Sequence, residues 1–137
     1  MIGVVVVTHG GIGLEMVKAV HRIIPEVTHL VAVAVESNDP PEHIRSDIQR
    51  ALEKVNAGEG VLILTDMFGG TPSNVCLSFL NLPAIEVVSG VNLPMLIKLA
   101  TYRQRAESLS ALSQFIQQYG QRNVVIASRI LSGEQRA

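Results

Sequence analysis

Two separate stretches of the chain hold side chains that could carry out chemistry together. His9 follows an apolar run in the stretch VVVVTHGG, and Asp66 follows another apolar run in LILTDMFGG. A neutral imidazole has one N–H and one lone pair, so a carboxylate that accepts the Nδ1–H would fix the tautomer and leave Nε2 nucleophilic. His9 is therefore a candidate nucleophile and Asp66 a candidate orienting acid, although each could simply be satisfied within its own loop.

The loop that holds Asp66 also has features that suit an anion. Gly69 and Gly70 allow backbone N–H groups to approach a ligand closely. Thr71 and Pro72 begin a helix, whose first amides lack intrahelical partners and whose dipole favours negative charge. A nucleophilic histidine beside an anion site suits phosphoryl transfer, which depends on positioning and charge stabilisation. Thr71 could instead act only as the helix N-cap, and the two glycines could serve only the turn.

The elements that would position these loops alternate between strands and helices. Valine-rich runs predict strands buried on both faces, as in a parallel sheet, and amphipathic spacing predicts helices between them. The predicted strands are 2–7, 30–35, 61–64, 84–88 and a last one at 123–130, and the predicted helices are 13–24, 40–55, 72–80, a segment ending near 103, and 108–119. This order predicts an α/β fold, a doubly wound open sheet with helices on both faces.

The strand order decides whether the two loops meet. The flavodoxin-like order, with strands 1 and 3 adjacent in the middle, is the natural choice for a chain of 137 residues. Ligands bind in such sheets beyond the carboxyl ends of the strands, where the winding direction changes. This order would bring His9 and Asp66 into one crevice.

Composition narrows the function classes. The length of 137 residues fits one domain over 1–137, and a net charge of −1 argues against a nucleic-acid or anionic-membrane binder. The single cysteine, Cys76, excludes an internal disulfide and CxxC metal spacing, which favours a cytoplasmic protein with no metal site. We find no signal-peptide pattern and no apolar run long enough to span a membrane. We expect Cys76 to be a core residue and Asn92 to cap the helix that contains Pro94.

Three motifs in order resemble a known family. THG after strand 1, TDMFGGTPSN after strand 3 and SGVNLPML after strand 4 are similar to the IIA component of the mannose/fructose/sorbose family of the bacterial sugar phosphotransferase system. The similarity covers nearly the whole chain. It implies that His9 is phosphorylated on Nε2 by phospho-HPr and passes the phosphoryl group to a IIB component, that Asp66 orients His9, and that Thr71 lies near the histidine.

A wider set of site residues is also expected, and the resemblance implies an assembly. We expect contacts with the phosphate or with a partner protein from Gly10, Met67, Phe68, Gly69, Gly70, Ser73 and Asn92. No cofactor is expected. The family is dimeric, and its last strand, here about 124–130, runs antiparallel to the others and packs on the partner subunit. Some members fuse IIA to IIB through a linker, whereas this chain ends in a short polar tail, so we expect a separate IIB and only an indirect association with the membrane through the permease.

Other interpretations of the sequence remain open. Within the same chemistry, the chain could be a regulatory phosphocarrier without sugar transport, or a IIA-like subunit that serves a dihydroxyacetone kinase. A receiver-type signalling domain would use Asp66 as the phosphoacceptor, but it needs acidic residues after strand 1 to hold Mg²⁺, and the first acid is Glu15. A flavin- or nucleotide-binding module and a hydrolase lack the expected GxGxxG, P-loop, GxSxG and HExxH motifs.

Overall fold

The computed structural model describes residues 1–134 and forms a four-stranded parallel sheet flanked by helices. The strands are β1 (Gly3–His9), β2 (Leu30–Val35), β3 (Val61–Thr65) and β4 (Ile85–Ser89). The helices are α1 (Ile12–Ile23), α2 (Pro41–Val55), α3 (Gly70–Leu77), α4 (Leu93–Tyr102), α5 (Leu109–Arg122) and α6 (Ala127–Leu131), with a 3-10 turn at Arg103–Arg105. Among residues 1–134, no helix is both long and apolar enough to cross a membrane.

The order of the strands across the sheet is β2-β1-β3-β4, and every pairing is parallel. This confirms the predicted doubly wound α/β architecture with strands 1 and 3 adjacent in the middle. The crossovers after β1 and β3 leave in opposite directions, so the loops that follow these two strands flank the switch point.

The valine run of β1 shows how the sheet separates two apolar layers. Val4 and Val6 pack in one cluster with residues of α1, α4 and α5, whereas Val5 and Val7 pack in the other with residues of α2 and α3. All four side chains are fully buried. Alternate residues of a strand face opposite sides of a sheet, so an unbroken valine run is what a central strand with two covered faces needs.

A buried arginine links two segments at the end of the sheet opposite the switch point. Arg103 is 3% exposed, and its guanidinium donates to the carbonyl oxygens of His29, at 2.9 Å, and of Thr28. Burial lowers the pKa of Arg103 from its ordinary value. These bonds join the turn after α4 to the segment that enters β2.

The last predicted strand differs from the structure. Residues 124–126 have no regular secondary structure, and Ala127–Leu131 is the short helix α6 instead of the second half of a strand. A strand needs a neighbouring strand to complete its hydrogen bonds, and none lies beside β4 on its outer edge in the described part of this single chain. The backbone is satisfied locally instead, because the amides of Arg129 and Ile130 donate to the carbonyl of Ile126.

Candidate active site

The two central strands bring His9 and Asp66 into contact. Val7 of β1 pairs with Thr65 of β3, so the residues that follow leave the sheet at the same edge. The Oδ2 atom of Asp66 lies 2.8 Å from Nδ1 of His9 and also accepts the backbone N–H of His9 at 3.0 Å. The structure therefore contains the predicted juxtaposition.

Both oxygens of the Asp66 carboxylate have hydrogen-bond partners. Oδ2 contacts His9, and Oδ1 accepts the backbone N–H of Met67 at 3.1 Å. An ionised carboxylate can only accept, so its contact with Nδ1 requires that nitrogen to carry the proton. The proton on Nδ1 leaves the lone pair of a neutral imidazole on Nε2. The side chain of His9 is 48% exposed against 16% for Asp66, so the imidazole is accessible while its acid is largely covered.

The environment of Asp66 keeps it ionised. Burial raises the pKa of this carboxyl group, but the hydrogen bonds from the side chain and backbone of His9, together with the charge of His9, outweigh burial. The pKa of Asp66 therefore lies below its ordinary value of 3.8. The carboxylate is charged at neutral pH and can stabilise positive charge on the imidazole.

Gly70 lies against the reactive edge of the imidazole. Its φ of +82° is in the left-handed region, and a Cβ atom there would lie 3.1 Å from both Nε2 and Cε1 of His9. Gly69 has a similar φ of +93°, yet a Cβ at that position would meet nothing within 4 Å. Of these two positions, only Gly70 needs a glycine for two reasons: its backbone conformation, and the lack of room for a side chain beside Nε2.

Thr71 does not cap α3. The helix begins at Gly70, one residue before it, and Gly69 occupies the N-cap position. The capping interpretation of Thr71 is therefore wrong: the two left-handed glycines turn the chain earlier than the Thr-Pro pattern indicated. Thr71 is exposed and helps to line a cleft of about 510 Å³ beside His9, whose other lining residues are Gly10, Val35, Glu36, Ser37, Asp39 and Pro41.

Two of the residues that were predicted to contact the phosphate or a partner protein, Ser73 and Asn92, have their side chains within the fold. Ser73 is fully buried, and its hydroxyl has no hydrogen-bond partner in the part of the chain that the structure describes. Asn92 caps α4, as expected, because its Oδ1 accepts the N–H of Met95 at 3.0 Å while its Nδ2 donates to the carbonyl of Gly120. Neither side chain lines the cleft beside His9.

The surroundings of the site are apolar on one side and acidic on another. Met67 is 53% exposed and Phe68 is 75% exposed, which is unusual for side chains of this size. The cleft itself carries Glu36 and Asp39 and no lysine or arginine among its lining residues. Within residues 1–134, no group of three or more His, Cys, Asp or Glu side chains could hold a metal ion.

Thr8 is a residue of the site that the motif interpretation missed. Its buried hydroxyl donates to the carbonyl of Gly10 at 3.2 Å and accepts the N–H of Gly13 at 2.9 Å, which ties the loop of His9 to the start of α1. Thr65, at the end of β3, makes a similar contact with Met67. The sequence did carry a signal for both threonines, because each ends a buried apolar run immediately before His9 or Asp66.

The fold and the site define a doubly wound α/β protein with a carboxylate-oriented histidine at its switch point. The family model described as PTS system fructose IIA component matches residues 3–117. The chain belongs to this family, the mannose-type IIA components of the phosphotransferase system, and the resemblance in its motifs is confirmed.

Individual relatives agree with this family. The chain is 29% identical over 121 residues to the PTS system fructose-specific EIIA component of Bacillus subtilis, covering 83% of each. It is 26% identical over 124 residues to the PTS system mannose-specific EIIAB component of Escherichia coli, covering 90% of this chain but only 38% of that protein. The crystal structure of phosphotransferase system component EIIA from Streptococcus agalactiae superposes with a TM-score of 0.83 at 25% identity, covering 93% of this chain and 98% of that one.

Proposed function

We propose that this IIA component is a phosphocarrier in which Nε2 of His9 accepts a phosphoryl group from phospho-HPr and passes it to a IIB component, for uptake and phosphorylation of a sugar. The observation that carries the proposal is the 2.8 Å contact between Nδ1 of His9 and Asp66, which leaves Nε2 as the free nucleophile on a half-exposed ring. Family membership supplies the class of donor and acceptor.

The transfer step follows from this geometry. The Nε2 lone pair attacks phosphorus, the bond from phosphorus to the donor breaks, and the donor leaves with that electron pair. The phosphorylated ring keeps its Nδ1 proton and gains positive charge, which the carboxylate of Asp66 stabilises across their hydrogen bond. Transfer to the acceptor reverses these steps, so the same pair serves both half-reactions.

The negative charge of the phosphoryl group needs its own partners. The start of α3 lies beside His9 at Gly70, and the amides of a first helical turn are available to an anion. Glu36 and Asp39 line the same cleft and would repel a phosphoryl group. We infer that the donor and acceptor proteins bring basic groups that face these two acids during transfer.

Exchange with two proteins in turn requires an open site. The side chains of Met67 and Phe68 stand exposed next to Asp66 and form an apolar rim that a partner can cover. We propose that HPr and the IIB component use this rim in turn, in the cytoplasm, and that the chain approaches the membrane only through the permease.

We also propose that the chain forms a homodimer through its C-terminal segment. Val125 is 41% exposed and Leu131 is 88% exposed, in a segment that follows a helix packed against β4. The outer edge of β4 has no neighbouring strand among residues 1–134. In the dimer, residues of about 124–130 would extend into the predicted antiparallel strand and pair with the partner subunit, burying apolar surface and satisfying a sheet edge.

Loss of the nucleophile tests the phosphocarrier proposal. His9→Ala should take up no phosphate from phospho-HPr while keeping its circular dichroism spectrum, because the exposed imidazole contributes little to the core. A folded His9→Ala variant that is phosphorylated at the normal rate would show that another residue carries the phosphoryl group.

A further inference from the structure

The loop that presents Asp66 is held by a chain of hydroxyl groups behind it. Thr65 is fully buried at the end of β3 and lies opposite Ser89 of β4 in the sheet register. The two hydroxyl oxygens are 2.8 Å apart, and Oγ1 of Thr65 lies 3.2 Å from the carbonyl oxygen of Met67. Each hydroxyl has one proton, so both contacts are satisfied when Ser89 donates to Thr65 and Thr65 donates to Met67.

This chain reaches the carboxylate through one residue. The carbonyl of Met67 accepts from Thr65, and the N–H of the same residue donates to Oδ1 of Asp66 at 3.1 Å. The backbone of Met67 is therefore fixed on both sides, although its side chain is exposed. Met67 therefore holds Oδ1 of Asp66, while the backbone N–H and the imidazole of His9 hold Oδ2, and together these contacts set the rotation of the carboxylate.

The main chain of Thr65 is also held by hydrogen bonds. Its carbonyl oxygen accepts the N–H groups of Gly90 and Val91, each at 3.0 Å, which joins β3 to the loop after β4. The hydroxyl chain therefore rests on a rigid strand end. Buried hydrogen bonds in series strengthen one another, and such support from a second layer of residues holds a reacting group in its working geometry.

We propose that Thr65, supported by Ser89, is a positioning residue that sets the geometry of the Asp66–His9 pair. Neither hydroxyl touches the imidazole. Removing the Thr65 hydroxyl frees the Met67 carbonyl and loosens the Met67 N–H on Oδ1. The carboxylate is then held through Oδ2 by the backbone N–H of His9 and can tilt out of line with Nδ1. The imidazole then loses its fixed tautomer, and the fraction of molecules with a lone pair on Nε2 falls.

Because this role rests on the proposed function, the test needs a readout that does not depend on phosphoryl transfer. Thr65→Val keeps the shape and β-branching of the side chain and removes the hydroxyl, Thr65→Ser restores it, and Ser89→Ala removes its donor. Thr101→Val is the control, since Thr101 is exposed on α4 and its hydroxyl donates to the carbonyls of Ile97 and Lys98 in that helix. The tautomer of His9 is measured by long-range ¹H–¹⁵N NMR correlation in the unphosphorylated protein.

We expect Thr65→Val to lower the Nδ1–H tautomer population and to reduce kcat for phosphoryl transfer about tenfold, with KM for phospho-HPr unchanged. Thr65→Ser should restore both quantities, and Ser89→Ala should give a smaller change in the same direction. A Thr65→Val protein with the tautomer ratio of Thr101→Val would overturn the positioning role, and if Thr65→Val does not fold, Ser89→Ala decides by the same comparison. If the wild-type protein takes up no phosphate, the phosphocarrier function fails, while the tautomer ratio still tests the positioning role.

Discussion

At the scale of single residues, the histidine site depends on a carboxylate and on a glycine that serve it in different ways. Asp66 holds Nδ1, and Gly70 leaves room beside Nε2. The contact between Asp66 and His9 could be predicted from the residue types and the strand order. The role of Gly70 could not, because a glycine in a turn looks the same in a sequence whether or not a side chain would strike a neighbour.

A methyl group at Gly70 should block the nucleophile. Gly70→Ala places a Cβ 3.1 Å from Nε2, where the phosphoryl group must approach, whereas Gly69→Ala has a similar backbone cost and open space. We expect the two variants to lose similar stability, about 1–2 kcal/mol each, and only Gly70→Ala to lose more than about tenfold in phosphorylation rate. Equal rates for the two variants, measured with their thermal melting curves, would contradict this account of the space beside Nε2.

The charge on Asp66 should appear in the pH dependence of stability. Its pKa is lowered in the folded state, so its stabilising contribution is complete above the ordinary value of 3.8 and is lost as the pH falls through the folded-state value. Relative to Asp66→Asn, the wild-type protein should be more stable by about 1 kcal/mol near neutral pH. That difference should shrink as the pH falls below the ordinary value of 3.8. Urea denaturation of both proteins at steps from about pH 4 to about pH 2 measures it, and a difference that grows over this range would contradict the assignment.

At the scale of helices and strands, the elements that were predicted correctly are those whose apolar faces pack against other elements of this chain. The valine run of β1 and the amphipathic pattern of α2 each have a neighbour in this chain that satisfies them. The segment 123–130 has a strand-like composition but no neighbouring strand among residues 1–134, and α6 forms there instead. Local pattern therefore predicts an element reliably only where the partner of that element is present.

The start of α3 shows a second limit of local pattern. Thr71 followed by Pro72 resembles a helix start, but the helix begins one residue earlier, at Gly70, because the chain already turns at Gly69, whose φ of +93° favours glycine. The hydroxyl chain of Thr65 and Ser89 also could not be predicted from the sequence, since it depends on the register between β3 and β4.

A strained residue immediately before β4 offers a test of the backbone geometry. Ala84 has a φ of +60°, in the left-handed region, and its carbonyl accepts the N–H of Val61 at 2.9 Å. Ala84→Gly should raise the free energy of unfolding by about 1 kcal/mol, because glycine adopts this conformation without strain. The control is Ala57→Gly, an exposed loop position without a positive φ, which should lower stability by a few tenths of a kcal/mol. Chemical denaturation compares them, and a loss of stability in Ala84→Gly would contradict the assigned geometry.

At the scale of the whole molecule, eleven large apolar side chains among residues 1–134 are exposed, and four of them lie close together in the sequence near the C-terminus. The exposed fractions are 74% for Val124, 51% for Ile126 and 88% for Leu131. Exposed apolar side chains gathered in one segment are typical of a surface that is covered in an assembly. The proposed dimer would cover these exposed side chains and would give β4 a neighbouring strand.

A charge within this segment should separate the subunits. Val125→Asp should convert the dimer to monomers in sedimentation equilibrium, because a carboxylate would be buried in the subunit contact. Ile23→Asp, at a side chain that is 56% exposed near the end of α1, is the matched control and should stay dimeric. A wild-type protein that is monomeric, or a Val125→Asp protein that dimerises like the control, would contradict this assembly.

The phosphorylation of His9 is the central claim, and one measurement tests it most directly. The protein is incubated with phosphoenolpyruvate, enzyme I and HPr, and its peptides are then mapped by mass spectrometry at mildly basic pH, where phosphohistidine survives. We predict one acid-labile phosphate, carried by the peptide that contains His9 and absent from His9→Ala. A folded protein that acquires no phosphate, or that carries an acid-stable phosphate on another residue, would contradict the account of the Asp66–His9 pair as a phosphoryl acceptor.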